Sequence, residues 1–202
     1  MTEDHEGFLY PEGDSTVCID CGMCEKVCLV INPNEPREPL AVYAAKNTNE
    51  KIRLKSSSGG IFTLLAEQII SEGGVVFGAK FDEHWNVIHS YAEKQESLED
   101  FRGSKYVQSV IGDNYKYVKQ FLLEERKVLF SGTPCQIAGL KRYLQKEYEN
   151  LLTVEVVCHG VPSPKVWRDY LDYKRAKRVT GKNSVSKSVM SPLRRPKIRF
   201  QN

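Results

Sequence analysis

KVLFSGTPCQIAGLK, running from Lys127 to Lys141, is the stretch whose reading decides the fold. Its first four residues, Lys127–Phe130, read as a short buried strand, with Val128–Phe130 apolar and small residues following. Ser131 and Gly132 break the run. Thr133 is a good helix N-cap, and Pro134 suits the first helical position, where its missing N–H costs nothing. The apolar spacing that follows predicts a helix to about Tyr148. Leu151–Val157 (LLTVEVV) is then a second apolar strand. A strand, a helix and a strand in succession predict two parallel neighbours in one sheet.

The same alternation extends in both directions. Upstream, Asn114–Arg126 has the spacing of an amphipathic helix, and Val75–Phe81 and Val87–Ala92 read as strands. Ile61–Ser71 is helical in pattern and is stopped by Gly73-Gly74. Downstream, Ser163-Pro164 opens a further helix to about Lys174, and after Lys177 the pattern fades into Ser, Lys and Pro. Residues 37–55 read as an extended stretch (PLAVYAA) followed by a polar link. The expectation is an α/β domain with a mixed sheet over residues 36–175, preceded at residues 1–35 by half of a bacterial-ferredoxin-like iron–sulfur module and followed at 176–202 by a basic tail or the start of a truncated C-terminal domain.

The chain has 202 residues, 41% hydrophobic and 27% charged, which is ordinary for a globular protein with one main domain. No apolar run approaches the roughly 20 residues of a membrane span. The N-terminus MTEDHEGF is acidic and polar, unlike a secretory signal, so a cytoplasmic location is expected. The net charge of +3 hides an asymmetry: from Lys174 onward there are ten basic residues and no Asp or Glu. Such a tail can bind nucleic acid. It lacks the alternating aromatics that stack on bases, and a solvated tail is the reading preferred.

Four of the six cysteines fall in Cys18-x2-Cys21-x2-Cys24-x3-Cys28. In a chain without a secretory signal, such a cluster points to metal rather than to disulfides. Zinc ribbons use two C-x2-C pairs parted by a longer loop, whereas this spacing is that of bacterial-type 4Fe-4S ligation. Gly22 lies between ligands, where backbone passes close to the cluster. In two-cluster ferredoxins the fourth cysteine of such a run serves the other cluster. Three arrangements stay open. Cys28 closes the single cluster, Cys135 or Cys158 supplies a ligand, or an earlier cysteine motif lies outside this chain.

Three junctions ahead of helices are rich in small and polar residues: Ser56–Gly60, Ser131–Gln136 and Cys158–Pro164. Helix N-termini offer free N–H groups to phosphates, and in α/β sheets ligands gather at the carboxyl ends of strands. Ordinary capping explains any one alone; three together favour a phosphate-bearing cofactor. No GxGxxG is present. Cys135 near its helix start is a cluster ligand, a redox thiol or a packing residue. His159 is a candidate proton donor or a structural histidine. His5, His84 and His89 have no partner pattern favouring a role. Arg102–Ser109 (RGSKYVQS) mixes a cation, an aromatic ring and amide and hydroxyl groups suited to a flavin.

CIDCGMCEKVC, SSSGGIF, FRGSKYVQS, SGTPCQIAGLK and VVCHGVPSP, in that order over roughly residues 7–170, resemble the coenzyme F420 hydrogenase/dehydrogenase beta-subunit family. The resemblance implies an FAD-containing iron–sulfur oxidoreductase, with electrons passing between a 4Fe-4S cluster, FAD and an acceptor such as a deazaflavin coenzyme. It implies cluster ligation at Cys18, Cys21, Cys24 and Cys28. It places Ser58, Gly59, Gly60, Lys105, Tyr106, Gln108, Thr133, Cys135, Gln136 and His159 around the flavin and nearby cluster. The implied partner is a redox protein such as a ferredoxin or a hydrogenase or dehydrogenase subunit, with a homo-oligomer as a further expectation. Two departures stand out: Leu29 replaces the proline usual after the fourth cysteine, and GFLYPE, which follows an earlier cysteine motif in relatives, begins here at Gly7. An incomplete member is therefore expected, and its rival is a non-catalytic electron-transfer or interaction module.

Overall fold

The structure, a computed structural model, describes residues 1–179 apart from 34, 36 and 37, with side chains to residue 176. The basic tail from residue 180 lies outside the described residues. In chain order the elements are β1 (Thr2–Glu3), β2 (Leu9–Tyr10), α1 (Met23–Lys26), α2 (Glu50–Leu54), α3 (Ile61–Ser71), β3 (Val75–Phe81), β4 (Val87–Ala92), a 3-10 helix (Gln95–Phe101), α4 (Asn114–Leu123), β5 (Val128–Gly132), α5 (Pro134–Leu144), β6 (Leu151–Glu155) and α6 (Pro164–Val179).

The main sheet has the order β4-β3-β5-β6. β3, β5 and β6 run parallel, and β4 returns antiparallel from β3, so the sheet is mixed, as expected. β5 is buried throughout, and apolar from Val128 to Phe130, because both its faces are covered. On one face, Val75, Phe77, Val128 and Phe130 pack against Val118 and Leu122 of α4 and Ile137, Leu140 and Leu144 of α5. On the other, Val76 and Leu129 pack against Ala66 and Ile69 of α3 and against Leu98 and Phe101 of the 3-10 helix. Gly78 permits this second layer: a Cβ there would meet the Phe101 ring at 3.0 Å.

Element ends differ from the sequence reading for local reasons. α5 stops at Leu144 rather than Tyr148, because Gln145 takes a left-handed conformation (φ 59°). α4 stops at Leu123, and Glu125 is left-handed just beyond it. The ladder of β6 ends at Glu155, although the Val156 amide still bonds the Gly132 carbonyl at 2.9 Å. α2 and the 3-10 helix were not expected; each is too short for periodicity to reveal.

α6 does not lie back beside β6. Its Trp167 donates from Nε1 to the Trp85 carbonyl at 2.6 Å and stacks on Phe81, so α6 starts at the tip of the β3–β4 hairpin. β6 is at the opposite edge of the sheet. Residues 156–163 therefore carry the chain across the carboxyl ends of the strands. α6 also meets the small N-terminal hairpin: Arg168 pairs with Glu3 at 2.6 Å, and Lys165 packs against Gly7.

Among the buried residues is a histidine. His89 of β4 is 4% exposed, stacks on Phe130 with ring centroids 5.3 Å apart, and bonds the Ser131 carbonyl through Nε2 at 3.1 Å. Burial pushes its imidazole below the ordinary 6.5. The unfolded chain then binds a proton that the folded chain resists, so this contribution to stability is present above about pH 6.5 and is lost as pH falls through the lowered value. Two outcomes follow. Phe130, at 0% exposure and in ring contact with Phe77, His89 and Tyr115, should lower the unfolding free energy by about 3–5 kcal/mol when changed to Ala in urea titrations; a loss under about 1 kcal/mol would move the core elsewhere. His89→Gln should flatten the fall in stability below about pH 6.5, and an unchanged pH profile would show that His89 does not cause it.

Candidate functional site

Parallel strands fix where the polar junctions lie. α3 and α4 each run towards the start of a parallel strand, and α5 begins where β5 ends, so all three helices present their N-termini at the carboxyl edge of the sheet. The loop from Arg102 to Ser109 is tied to both faces at that edge. Ser104 donates its amide to Ser57 Oγ at 2.7 Å, and Arg102 Nε donates to Thr63 Oγ1 at 3.2 Å, both on the α3 side. At its other end, Ser109 Oγ accepts from Gln136 Nε2 at 2.7 Å, on α5.

The β5–α5 junction is hydrogen-bonded within itself and to α4. Thr133 caps α5 in a capping box with Gln136, whose Oε1 accepts the Thr133 amide at 3.0 Å. The Cys135 sulfur lies 3.1 Å from Thr133 Oγ1 at the second helical position. Tyr115 of α4 donates its hydroxyl to the Gln136 carbonyl at 2.8 Å, and burial raises this phenol to about 12, so it remains a donor.

A histidine that the sequence offered no reason to choose completes the network. His89 Nε2 faces the Ser131 carbonyl, an acceptor only, so that nitrogen carries the proton in the neutral ring. Nδ1 is then an acceptor and takes the Ser109 hydroxyl at 3.0 Å. The chain of bonds runs from Gln136 to Ser109 to His89 to the end of β5. Its members are 20 to 42 residues apart in sequence. Only the even alternation of β4, which puts His89 on the same face as Val87, could have pointed to it.

The other expected site residues fall as follows. Gly59 and Gly60 are accounted for by the chain itself: a Cβ on Gly59 would meet the Ala45 carbonyl at 2.5 Å, and Gly60 is left-handed (φ 77°) against Asn47. Ser58 is exposed beside them. Lys105 donates to the Asp100 and Arg102 carbonyls at 2.9 and 3.0 Å, and burial pushes it down to about 8. Gln108 has a buried Oε1 without a hydrogen-bond partner among the described residues, the kind of acceptor that a bound donor would satisfy. Tyr106 is 69% exposed. Cys158 and His159 are exposed on the strand-crossing segment, where Gly160 donates its amide to the Cys158 sulfur at 3.4 Å. Because Gly132 and Glu155 are register partners, Cys135 and Cys158 each stand three residues beyond paired strand ends.

The cysteine module is a separate feature. Cys18, Cys21 and Cys24 are exposed, Cys28 is partly buried, and all four are free thiols. Gly22 is left-handed (φ 66°) and caps the four-residue α1. Backbone N–H groups of Ile31 and Val30, with Arg142 nearby, hold the Cys28 thiol below its ordinary value. Among the described residues, no three His, Cys, Asp or Glu side chains are gathered as a metal group.

Comparison with known proteins agrees with the fold. Residues 42–112 match the family model described as coenzyme F420 hydrogenase/dehydrogenase, beta subunit N-term, and residues 125–190 match the companion model for the C terminus of the same beta subunit. Both matches begin after the cysteine module. A coenzyme F420-dependent sulfite reductase of Methanocaldococcus jannaschii is 28% identical over 153 residues, 70% of this chain. The chain spans 23% of that relative's length. A chain in the structure of the F420-reducing [NiFe] hydrogenase complex from Methanosarcina barkeri aligns with a TM-score of 0.50 at 22% identity, covering 68% of this chain and 52% of that one. No helix among the described residues is long and apolar enough to cross a membrane. With its two matched stretches spanning most of residues 42–190, and with the junctions of that fold in place, the chain belongs to the coenzyme F420 hydrogenase/dehydrogenase beta-subunit family.

Proposed function

We propose that this chain is an electron-transferring flavoprotein subunit whose α/β domain holds FAD at the carboxyl edge of the sheet. The observation that carries the reading is the β5–α5 junction, a capped helix N-terminus tied through Ser109 to the RGSKYVQS loop. Bound there, FAD would supply one- and two-electron chemistry, linking a one-electron donor to hydride transfer towards an acceptor such as a deazaflavin coenzyme.

The chain's own residues supply orientation and charge. The free N–H groups at the starts of α3 and α5 suit the diphosphate. Gln108, with its unpartnered Oε1, and Tyr106, exposed beside it, suit the ring system. Lys105 supplies a cation that can be switched near neutral pH. His89 carries no charge towards the ligand; it holds Ser109, and through Ser109 the Gln136 amide, in one orientation. His159, exposed on the crossing segment, is the candidate proton donor to the acceptor.

The donor chemistry of Cys18, Cys21, Cys24 and Cys28 suits a 4Fe-4S cluster. Among the described residues these thiols are not gathered into one metal-binding group. Cys135 and Cys158, on neighbouring strand ends, are the further thiols able to join such a group. The second reading is a relay or interaction module without flavin, favoured by the exposure of the cysteine segment. A redox partner protein, by analogy with the complex in which the structural neighbour sits, completes the proposal.

Anaerobic purification followed by incubation with iron, sulfide and FAD should give the broad visible absorption of a cluster together with flavin bands. Flavin bands alone would leave the cysteine module unassigned, and colourless protein that takes up neither would defeat the reading. The FAD affinity, followed by flavin fluorescence, should weaken roughly tenfold as pH rises past about 8 and Lys105 loses its proton. Lys105→Gln should remove that step while weakening binding at pH 7; an affinity independent of pH across this range would exclude Lys105 from the site.

A further inference from the structure

α1 buries none of its residues, and the segment from Cys18 to Val27 is exposed throughout. What holds it to the domain is concentrated on the last turn of α5. The Arg142 guanidinium donates from Nη1 to the Cys28 carbonyl at 2.8 Å and from Nη2 to the Asn32 carbonyl. These two carbonyls bracket one turn, since the Asn32 amide also bonds the Cys28 carbonyl at 2.9 Å. The planar fork of an arginine grips both ends of that turn at once, with a separate nitrogen for each carbonyl. Beside it, Gln145, left-handed at the end of α5, reaches the Met23 sulfur at 3.8 Å.

Arg142 follows Cys135 by seven residues on α5, and residues seven apart share one face of a helix. The rise between them is about 10 Å. An open groove of about 1020 Å³ lies between α5 and β6 with Arg142 and Gln145 in its wall, and Cys135 does not line it. The two ends of one rigid element therefore carry the two chemically distinct thiol regions of the chain.

We propose that Arg142 is the anchor that docks the cysteine segment on the face of α5 that also carries Cys135, so that α5 acts as a fixed spacer between Cys28 and the β5–α5 junction. The anchor is a positioning residue. It grips the backbone of the cysteine segment, and its charge also acts on the Cys28 thiol. It needs neither flavin nor metal to act, so it can be tested in protein free of both, and its failure is separable from failure of the flavin site.

The test is hydrogen–deuterium exchange on the full chain. The reporters are the amides of Lys26, Val27, Cys28 and Asn32, which are hydrogen-bonded within the segment. In Arg142→Ala these amides should exchange roughly tenfold faster, while those of β3 and β5 keep their protection. Arg142→Lys should restore only part of the protection, since one ammonium nitrogen replaces the two nitrogens of the fork. Unchanged exchange in the segment of Arg142→Ala overturns the anchor. So does full protection in Arg142→Lys, and so does a loss shared equally by β3 and β5, which would make Arg142 a residue of general stability.

Discussion

The parallel pairing of β3, β5 and β6 is the constraint on which the rest depends. Parallel neighbours cannot be joined by a tight turn, so each needs a crossover that returns the chain to the starting edge. Here the returns are helices, and their N-termini collect at the carboxyl edge. The polar residues of the junctions follow from this, because exposed helix N–H groups there require caps. The buried faces follow too: with helices on both sides, β5 has no solvent face, and its five residues are all buried.

That constraint explains what could be read in advance. The KVLF run, the Thr133-Pro134 cap and the LLTVEVV run are local signals, and they placed β5, α5 and β6 within a few residues. β3, β4 and α3 were legible with their bounds, because Gly73-Gly74 and the β3–β4 turn punctuate them sharply. The helix ends set by left-handed Gln145 and Glu125 were not, since neither residue type announces that conformation. The site divides in the same way. Thr133, Cys135 and Gln136 lie at one local junction and were found there. His89 was passed over, because its partners Ser109 and Ser131 come from elements 20 and 42 residues away.

The cysteine motif shows the opposite case. Its chemistry is strong in sequence and its structural setting is thin: exposed thiols, a four-residue helix and a few contacts with α5. The family match starts beyond it, at residue 42. The resemblance read over residues 7–170 therefore rests, in its N-terminal part, on the cysteine motif and the GFLYPE stretch. What joins the two parts physically is α5, which begins in the polar junction and ends under the cysteine segment.

The lock between Trp167 and Trp85 carries a consequence for how the chain is made. The two partners are 82 residues apart, and Arg168 pairs with Glu3 across 165 residues. On a ribosome, the β3–β4 hairpin and the N-terminal hairpin emerge long before α6 exists to cover Phe81 and Trp85. Until residue 168 has cleared the exit tunnel, these aromatic and charged surfaces wait unpartnered, while the sheet beneath them can already form through β5. Such distant contacts close slowly. The nascent domain thus spends its longest interval as a sheet with an open carboxyl edge, and the chain segment that bears Cys158 and His159 is drawn across that edge last.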